Sequence, residues 1–376
     1  MNNRMDRHRQ HKRGRWIALG VVIACLLGIF YGLNTIYRSV SSSLSDSYTK
    51  IHEKGGRPAD AIIRKGQPIS ILLMGTDTGA LDRTDKGRTD TMMLITVSKT
   101  KGIHLVSIPR DTMIAIPGLE STFPQKINSV YTFTNVSDTM STISKYLNVP
   151  VDYFALVNMG GLEKLVDQIG GITVESPLSF TFSTDTSHET GKNLYQFYKG
   201  KTTFRYAKDG VHFKTYHKMN GKAALAFTRM RYEDPRGDYG RTERQRLVIA
   251  QLVKQAKNPA LLLNKTFMSS ISKNLRTNLT TKDMLSLATE YYNPKKKVKA
   301  ISVNETSLWY EGISFQVMPR LEQQRVTNEL RSDLSLTHAT TGPVLAGNPD
   351  KFTIPQAVSQ VLYANTSSNS QAATSN

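Results

Sequence analysis

The fold is decided by Ile69–Ile108, which reads ISILLMGTDTGALDRTDKGRTDTMMLITVSKTKGIHLVSI. It contains three apolar runs typical of buried strands, namely Ile69–Met74, Thr91–Val97 and Ile103–Ile108. Only Ser98–Gly102 joins the second run to the third, which is a hairpin length. The pattern therefore predicts an antiparallel meander. In a meander, the end of the first strand, the start of the second and the end of the third share one edge of the sheet.

Three polar clusters fall at that shared edge. They are Gly75–Thr78, Gly87–Thr91 and Pro109–Thr112. Each lies directly beside one of the predicted strands, so the meander would bring all three together. Parallel pairing of the first two strands would separate them.

The clusters contain charges of both signs: Asp77, Asp90 and Asp111 with Arg88 and Arg110. Carboxylates attract a hard cation such as Mg²⁺, which combines one or two carboxylates with phosphate oxygens. Arginine offers a planar fork to phosphate oxygens. Together they favour a bound diphosphate with its metal. The alternative is that these residues are local ion pairs and turn formers.

A fourth cluster has six arginines and no lysine between positions 229 and 246. The residues that we assign to it are Arg229, Arg231, Asp234, Arg236, Asp238, Arg241, Arg244, Gln245 and Arg246. We predict a helix over Arg241–Lys257 that begins with a T-x-x-Q capping box at Thr242 and Gln245. Arginines at the positive end of a helix dipole break a local rule, which indicates an anion site. A solvated basic face is the alternative.

The N-terminus predicts a membrane topology. Residues 1–15 contain six Lys or Arg, and residues 16–37 contain no Lys, Arg, Asp or Glu. We therefore expect a basic cytoplasmic tail (1–15), a transmembrane signal anchor (16–37), a polar stalk or linker (38–68) and an extracellular domain. A cleaved signal peptide is the rival interpretation.

Composition limits the partners. The chain has 376 residues, a net charge of +19 and one cysteine, Cys25, inside the predicted span. One cysteine excludes an intramolecular disulfide and a four-cysteine zinc site. With the positive charge placed outside the cell, anionic envelope polymers or lipid phosphates are the expected partners, and nucleic acid is not.

The remaining elements are predicted more coarsely. Ser176–Asn220 is a long insertion with a hairpin turning at Asp209-Gly210, and residues 335–376 form a polar, largely disordered tail. The other predicted helices are Lys164–Ile169, Gly221–Met230, Thr280–Tyr292 and Arg320–Leu334, and the other strands are Ile172–Glu175, Val298–Val303 and Ile313–Val317.

An ordered set of motifs resembles the LytR-CpsA-Psr family. The motifs are GTDT, GRTDTMMLITV, SIPRDT, KINSVY, VDYFALVNMGGLEKLVDQIGGITV and AFTRMRYEDPRGDYGRTERQR. They run from about Ile69 to Asn258 and follow a single predicted anchor. Each motif alone is weak, but the ordered set is specific.

The resemblance implies a fold and an activity. The fold would be an α/β/α sandwich around a mixed, partly antiparallel sheet, with residues 69–334 as the catalytic domain. Family members transfer a glycopolymer, of teichoic-acid or capsule type, from an undecaprenyl-diphosphate carrier onto peptidoglycan of Gram-positive walls. Undecaprenyl phosphate is released, so the chain would be a Mg²⁺-dependent phosphotransferase held at the cell membrane.

The resemblance also implies roles for individual residues. Asp77 and Asp90 would hold Mg²⁺. The residues around the diphosphate would be Arg88, Arg110, Arg229, Arg231, Arg241, Arg244 and Gln245. Of these, Arg88, Arg110, Arg229 and Arg231 would also act in catalysis, and Asp111 or Asp238 would accept the proton of the attacking hydroxyl.

A lipid tail requires an apolar groove beside these charges. Met92, Leu94, Leu247 and Leu252 are candidates for its lining, with core packing as the alternative. Two other functions stay open at this point: a polyprenyl-diphosphate hydrolase, and a non-catalytic lipid-phosphate-binding regulator of envelope assembly.

Overall fold

The computed structural model describes residues 48–50, 57, 59–76, 87–255, 274–291, 296 and 298–364. The strands are β1 (Ile69–Thr76), β2 (Thr89–Ser98), β3 (Gly102–Ser107), β4 (Met113–Ile114), β5 (Gln125–Lys126), β6 (Tyr153–Asn158), β7 (Phe180–Ser183), β8 (Leu194–Phe197), β9 (Phe204–Ala207), β10 (Lys214–Tyr216), β11 (Leu275–Thr277), β12 (Val298–Ile301), β13 (Thr306–Tyr310) and β14 (Ile313–Val317). The helices are α1 (Ala59–Arg64), α2 (Val130–Phe133), α3 (Val136–Leu147), α4 (Met159–Gln168), α5 (Gly221–Arg229), α6 (Asp238–Gln255), α7 (Thr281–Ser286), α8 (Arg320–Asp333) and α9 (Gln356–Leu362).

The predicted meander is confirmed. Strand β1 pairs antiparallel with β2, and β2 pairs antiparallel with β3. Parallel β6 and antiparallel β11 extend one side, and parallel β12 extends the other, giving the order β11-β6-β1-β2-β3-β12. The sheet is therefore mixed, and the carboxyl ends of β1 and β3 share an edge with the start of β2.

Helices cover both faces of this sheet because the side chains of each strand alternate in direction. Leu72 and Leu94 on one face belong to a buried cluster with residues of α3 and α8, such as Ile143 and Val326. Ile71 and Ile95 on the other face pack with residues of α1, such as Ile62, and with α7. The predicted mixed α/β class is thus confirmed.

The insertion at Ser176–Asn220 builds a separate four-stranded antiparallel sheet in the order β10-β9-β8-β7. Its hairpin turns at Gly210, as predicted, where φ is +82°. Phe180, Phe197 and Phe204 pack against α5 in a shared buried cluster with α4 and α6. The insertion therefore supports the helices that border the site.

Several boundaries differ from the predictions. Helix α6 begins at Asp238, so the predicted capping box is wrong: the Thr242 hydroxyl lies inside the helix and donates to the Asp238 carbonyl at 2.8 Å. Ile172–Glu175 is no strand, and Ile172 makes only an isolated bridge with Met219. The predicted Thr280–Asp283 cap is confirmed as a capping box.

The two flanking segments are more structured than expected. Helix α1 lies within the predicted linker and buries Ile62 and Ile63. In the predicted disordered tail, α9 buries Val358 and Leu362 against β14. The disorder prediction is therefore wrong for residues 335–364, while 365–376 lie outside the described residues.

The predicted membrane anchor at residues 16–37 also lies outside the described residues. Among the residues that are described, no helix combines the length and apolar character needed to span a bilayer.

Candidate active site

Two of the three predicted clusters lie within the described residues, and they meet at the expected edge. Arg110, just after β3, donates from Nη1 to Oδ1 of Asp90 in β2 at 2.8 Å. The Asn128 amide approaches the same oxygen at 3.4 Å. Asp77, in the remaining cluster, lies outside the described residues.

The start of α6 brings the arginine-rich segment to the same place. Nη2 of Arg241 lies 2.5 Å from Oδ1 of Asp238, and Nε of Arg110 lies 3.7 Å from that oxygen. Asp238 is in the first turn of α6, where a carboxylate complements the helix dipole. One carboxylate thus lies between two guanidinium groups that come from distant parts of the chain.

The charges of these groups influence one another. Burial lowers the pKa of Arg110, but the neighbouring carboxylates Asp90, Asp238 and Asp111 outweigh it and raise the pKa. Burial lowers the pKa of Arg241, assisted by the positive charges of Arg110 and Arg231. Asp238 and Asp90 partly counteract that effect on Arg241. The two arginines therefore share one electrostatic environment.

The buried guanidinium groups keep unused hydrogen-bond donors. Nε of Arg110 and Nε of Arg241 are buried and make no hydrogen bond within the described residues, whereas Nη2 of Arg241 is taken up by its ion pair with Asp238. Such donors are costly to leave unsatisfied in a folded protein. An anion with several oxygens, such as a phosphate group, supplies the acceptors that they lack.

Asp111 is held by a lysine rather than by an arginine. Oδ1 of Asp111 lies 2.7 Å from Nζ of Lys126, while its Oδ2 lies 3.8 Å from Nε of Arg110. Lys126 and Asn128 both belong to the KINSVY motif, but sequence reasoning gave them no role. Their place in a motif was the available signal.

The other predicted arginines are placed less tightly. Arg231 lies within electrostatic reach of Arg241. Arg88 is exposed directly before β2, at the same edge of the sheet, and Arg229 ends α5. Within the described part of the chain, no ion pair or hydrogen bond links Arg88 or Arg229 to this cluster.

Arg244 is not a diphosphate ligand in this structure, which corrects the prediction. Its side chain is fully buried and pairs with Asp234, Nη1 to Oδ2, at 2.5 Å. Its Nε donates to the Phe227 carbonyl and its Nη2 to the Met230 carbonyl. Arg244 therefore fastens α6 to the end of α5 and has no surface left for a substrate.

Gln245 lies on a different face of α6 and borders an apolar groove. The groove encloses about 660 Å³ between the sheet and helices α4 and α6. Its lining includes Thr91, which follows Asp90 in the chain, and Gln245, one turn after Arg241, together with Leu165, Ile249 and Leu252. Its lining is almost entirely apolar, which suits a hydrocarbon chain.

Only one of the four predicted lining residues lies in this groove. Leu252 does, but Met92 and Leu94 point to the opposite face of the sheet and pack in its core. Leu247 packs against the cluster formed by α4, α5 and α6. For these three residues, core packing was the correct alternative.

Glu305 was missed entirely. The Thr112 hydroxyl lies 2.7 Å from the Pro109 carbonyl oxygen and 2.8 Å from Oε1 of Glu305. A hydroxyl carries one proton, so both contacts are satisfied together only when the carboxyl is protonated. Burial, together with the charges of Asp111 and Glu322, raises the pKa of Glu305 to about 8. No sequence motif surrounds Glu305, so only the fold could reveal it.

The described residues hold no group of three or more His, Cys, Asp or Glu side chains placed to bind a metal ion. Both hydrogen bonds to Asp90 go to Oδ1, so its Oδ2 accepts none within those residues. A magnesium ion that also binds phosphate oxygens needs only one or two carboxylates. The donor set at Asp90 is thus compatible with such an ion when the substrate completes its shell.

Sequence comparison identifies the family. The LytR_cpsA_psr family matches residues 34–332. The chain is 33% identical to the polyisoprenyl-teichoic acid--peptidoglycan teichoic acid transferase TagU of Enterococcus faecalis over 321 residues, 85% of this chain and 96% of that protein. It is 35% identical to TagU of Bacillus mycoides over 327 residues, 86% of this chain and 97% of that one.

A solved structure agrees with the sequence comparison. The crystal structure of B. subtilis TagU superposes with a TM-score of 0.52 at 32% identity, covering 73% of this chain and 99% of that chain. This chain belongs to the LytR-CpsA-Psr family. The family match includes the insertion and continues past Asn258 to residue 332. It therefore covers more of the chain than the motifs that carry the resemblance.

Proposed function

We propose that this protein is a membrane-anchored extracellular phosphotransferase that moves a glycopolymer from an undecaprenyl-diphosphate carrier onto peptidoglycan. The names of its TagU relatives support teichoic acid as the polymer and peptidoglycan as the acceptor. The predicted anchor at residues 16–37 would hold the site close to the lipid carrier.

One observation carries the proposal: the arginine cluster adjoins the apolar groove. The Nε atoms of Arg110 and Arg241 are buried without a hydrogen bond to any described residue, and Gln245, one turn after Arg241, lines the groove. A polyprenyl diphosphate has an anionic head and a long apolar tail. The cluster suits its head and the groove suits its tail.

The chemistry follows from the charges. An acceptor hydroxyl oxygen forms a bond to the polymer-side phosphorus, and the bond from that phosphorus to the bridging oxygen breaks. The bridging oxygen leaves on undecaprenyl phosphate with the electron pair, and the hydroxyl proton passes to Asp111 or Asp238. Arg110 and Arg241 stabilise the charge that develops, and one such donor contributes about 3 kcal/mol in comparable sites.

Magnesium is part of the proposal. Asp90 would hold it together with Asp77, and the ion would supply additional positive charge to the diphosphate oxygens. The residues themselves bind and orient: Arg110 fixes Asp90, and Asn128 approaches the same carboxylate oxygen.

The test uses the full-length chain in detergent with Mg²⁺, a polyprenyl-diphosphate-linked saccharide and uncrosslinked peptidoglycan oligomers. Mass spectrometry should find a new saccharide–phosphate–peptidoglycan diester that Arg110→Ala no longer forms. Arg276→Ala, which removes an exposed arginine from β11, is the matched control and should keep the activity.

Two results would contradict the transferase. Free phosphorylated saccharide without diester would indicate the hydrolase. Binding of the lipid-linked saccharide with no turnover under any condition would indicate a non-catalytic binder.

A further inference from the structure

A second cavity lies beside the site and has no role in the proposal so far. It encloses about 750 Å³. Its walls come from the end of β3 with the residues that follow, from the N-terminal half of α6, and from the segments around β12 and β14. Asp111 and Asp238 both line it, so it opens directly onto the candidate active site.

Helix α6 contributes residues both to this cavity and to the apolar groove. Thr242 and Arg246 face the cavity, whereas Gln245, Ile249 and Leu252 face the groove. No described residue lines both cavities, so they occupy distinct parts of the α6 surface. Asp238, in the first turn of α6, lines the cavity, and Gln245, about two turns later, lines the groove.

The lining of the cavity is polar, unlike that of the groove. Ser107 is 4% exposed, and its hydroxyl makes no hydrogen bond within the described residues. The Asp238 carboxylate, which pairs with Arg241 through Oδ1, also lines the cavity. Arg246, Asn304 and Gln316 add further donors and acceptors. A ligand rich in hydroxyl groups can satisfy such a set, and a hydrocarbon cannot.

From this arrangement we infer that the cavity binds the acceptor saccharide and delivers its hydroxyl to the phosphorus. The inference rests on the proposed function. In phosphoryl transfer the attacking and leaving oxygens lie roughly in line with the phosphorus between them. A lipid phosphate leaving toward the groove therefore requires the acceptor to approach from a different direction, and this cavity, which shares no described lining residue with the groove, contains both candidate proton acceptors, Asp111 and Asp238.

The transfer needs no reactant other than the acceptor hydroxyl and the lipid-linked diphosphate. The acceptor oxygen forms the new bond to the polymer-side phosphorus as the bond to the bridging oxygen breaks, and lipid phosphate takes the electron pair. The acceptor proton passes to one of the two carboxylates that line the cavity. Tyr239, which is 38% exposed at the cavity, offers a flat apolar surface on which a sugar ring can pack.

The test measures how acceptor and donor depend separately on the cavity. The variant Arg246→Ala with Asn304→Ala should raise the acceptor KM at least tenfold while the donor KM stays within twofold of the wild type. Lys254→Ala, which removes an exposed positive charge from the same helix away from both cavities, should leave both values unchanged.

A second variant guards against a folding defect. Asn304 is exposed, so Asn304→Trp can fill the cavity from its surface without disturbing the core. Its Tm should match the wild type while its acceptor KM rises. An increase in donor KM instead, or no change in acceptor KM for either variant, would overturn the inference.

Direct binding separates this inference from the proposed function. Saturation-transfer NMR on the full-length chain with a peptidoglycan disaccharide fragment should give signals that Asn304→Trp abolishes. If the wild-type protein binds the fragment in this way but forms no diester, the transferase is refuted and the inference that the cavity binds saccharide is retained. No fragment binding in a wild-type protein that does form diester would refute the cavity alone.

Discussion

Asp90 lies in β2 and Arg110 twenty positions later, just beyond the end of β3, yet the Arg110 guanidinium donates to the Asp90 carboxylate at 2.8 Å. The contact exists because the antiparallel pairing of β2 with β3 returns the chain to the same edge of the sheet. It also leaves Nε of Arg110 buried without a hydrogen bond in the described residues. The ion pair therefore orients the guanidinium without using up its donors.

Replacing Arg110 by lysine should retain the positive charge but lose the several N–H donors of the planar guanidinium group. A lysine can pair with Asp90 but cannot bind a phosphate at the same time through a second nitrogen. We expect kcat/KM for diester formation to fall about 100-fold, which corresponds to one lost oxyanion donor. Arg276→Lys on β11 is the control. Activity within threefold of the wild type would show that charge alone is sufficient.

Arg244→Ala should lower the free energy of unfolding and should not directly impair the reaction. It would break the fully buried ion pair with Asp234 and leave that carboxylate only the half-exposed Arg236, and breaking a buried pair typically costs about 3–5 kcal/mol. Urea denaturation should show this loss. Arg241→Ala, one turn earlier, should lose activity with little change in stability. Normal stability with lost activity in Arg244→Ala would return Arg244 to the diphosphate site.

Filling the apolar groove should weaken binding of the lipid end of the donor. Ile249→Trp places a large ring in the groove, so the KM for a long-chain polyprenyl-diphosphate donor should rise about tenfold. A donor with a short prenyl chain should be affected far less. Lys254→Trp, on the exposed side of α6, is the matched control. Equal effects on long and short donors would mean that the tail lies elsewhere.

Glu305 should make stability fall as pH rises. Its pKa is about 8 in the folded protein and near 4.5 in the unfolded chain, so between these values the folded state holds the extra proton. The stabilisation is therefore present below pH 4.5 and is lost as pH increases through 8. Glu305→Gln removes this titration. Its Tm should exceed the wild-type Tm at pH 8.5 and match it near pH 5, and parallel Tm curves from pH 5 to pH 8.5 would contradict this prediction.

Much of this architecture could be predicted because it is local in the sequence. Apolar runs of strand length and a five-residue connection were enough to predict the meander, and the meander then brought Asp90 and Arg110 together. The capping box failed because T-x-x-Q also fits inside a helix, where the Thr242 hydroxyl bonds a carbonyl one turn earlier. Gly237 and Asp238 were the better signal for the start of α6.

What could not be predicted depends on burial and on distant contacts. Arg241 and Arg244 look alike in the sequence, but only Arg244 points into the protein, toward Asp234 and the end of α5. Glu305 gains its properties from Thr112 and Asp111, nearly two hundred positions away. The groove residues alternate with core residues along the same strands, so hydrophobicity alone could not separate Leu73 from Met92.

Helix α6 carries a further consequence for turnover. Its residues border two compartments of different character, an apolar groove and a more polar cavity, which share no described lining residue. The two products of a transfer beside this helix would therefore leave by separate exits. Undecaprenyl phosphate would return to the bilayer, and the peptidoglycan that carries the new polymer would leave toward the outside. Neither product would block the path of the other.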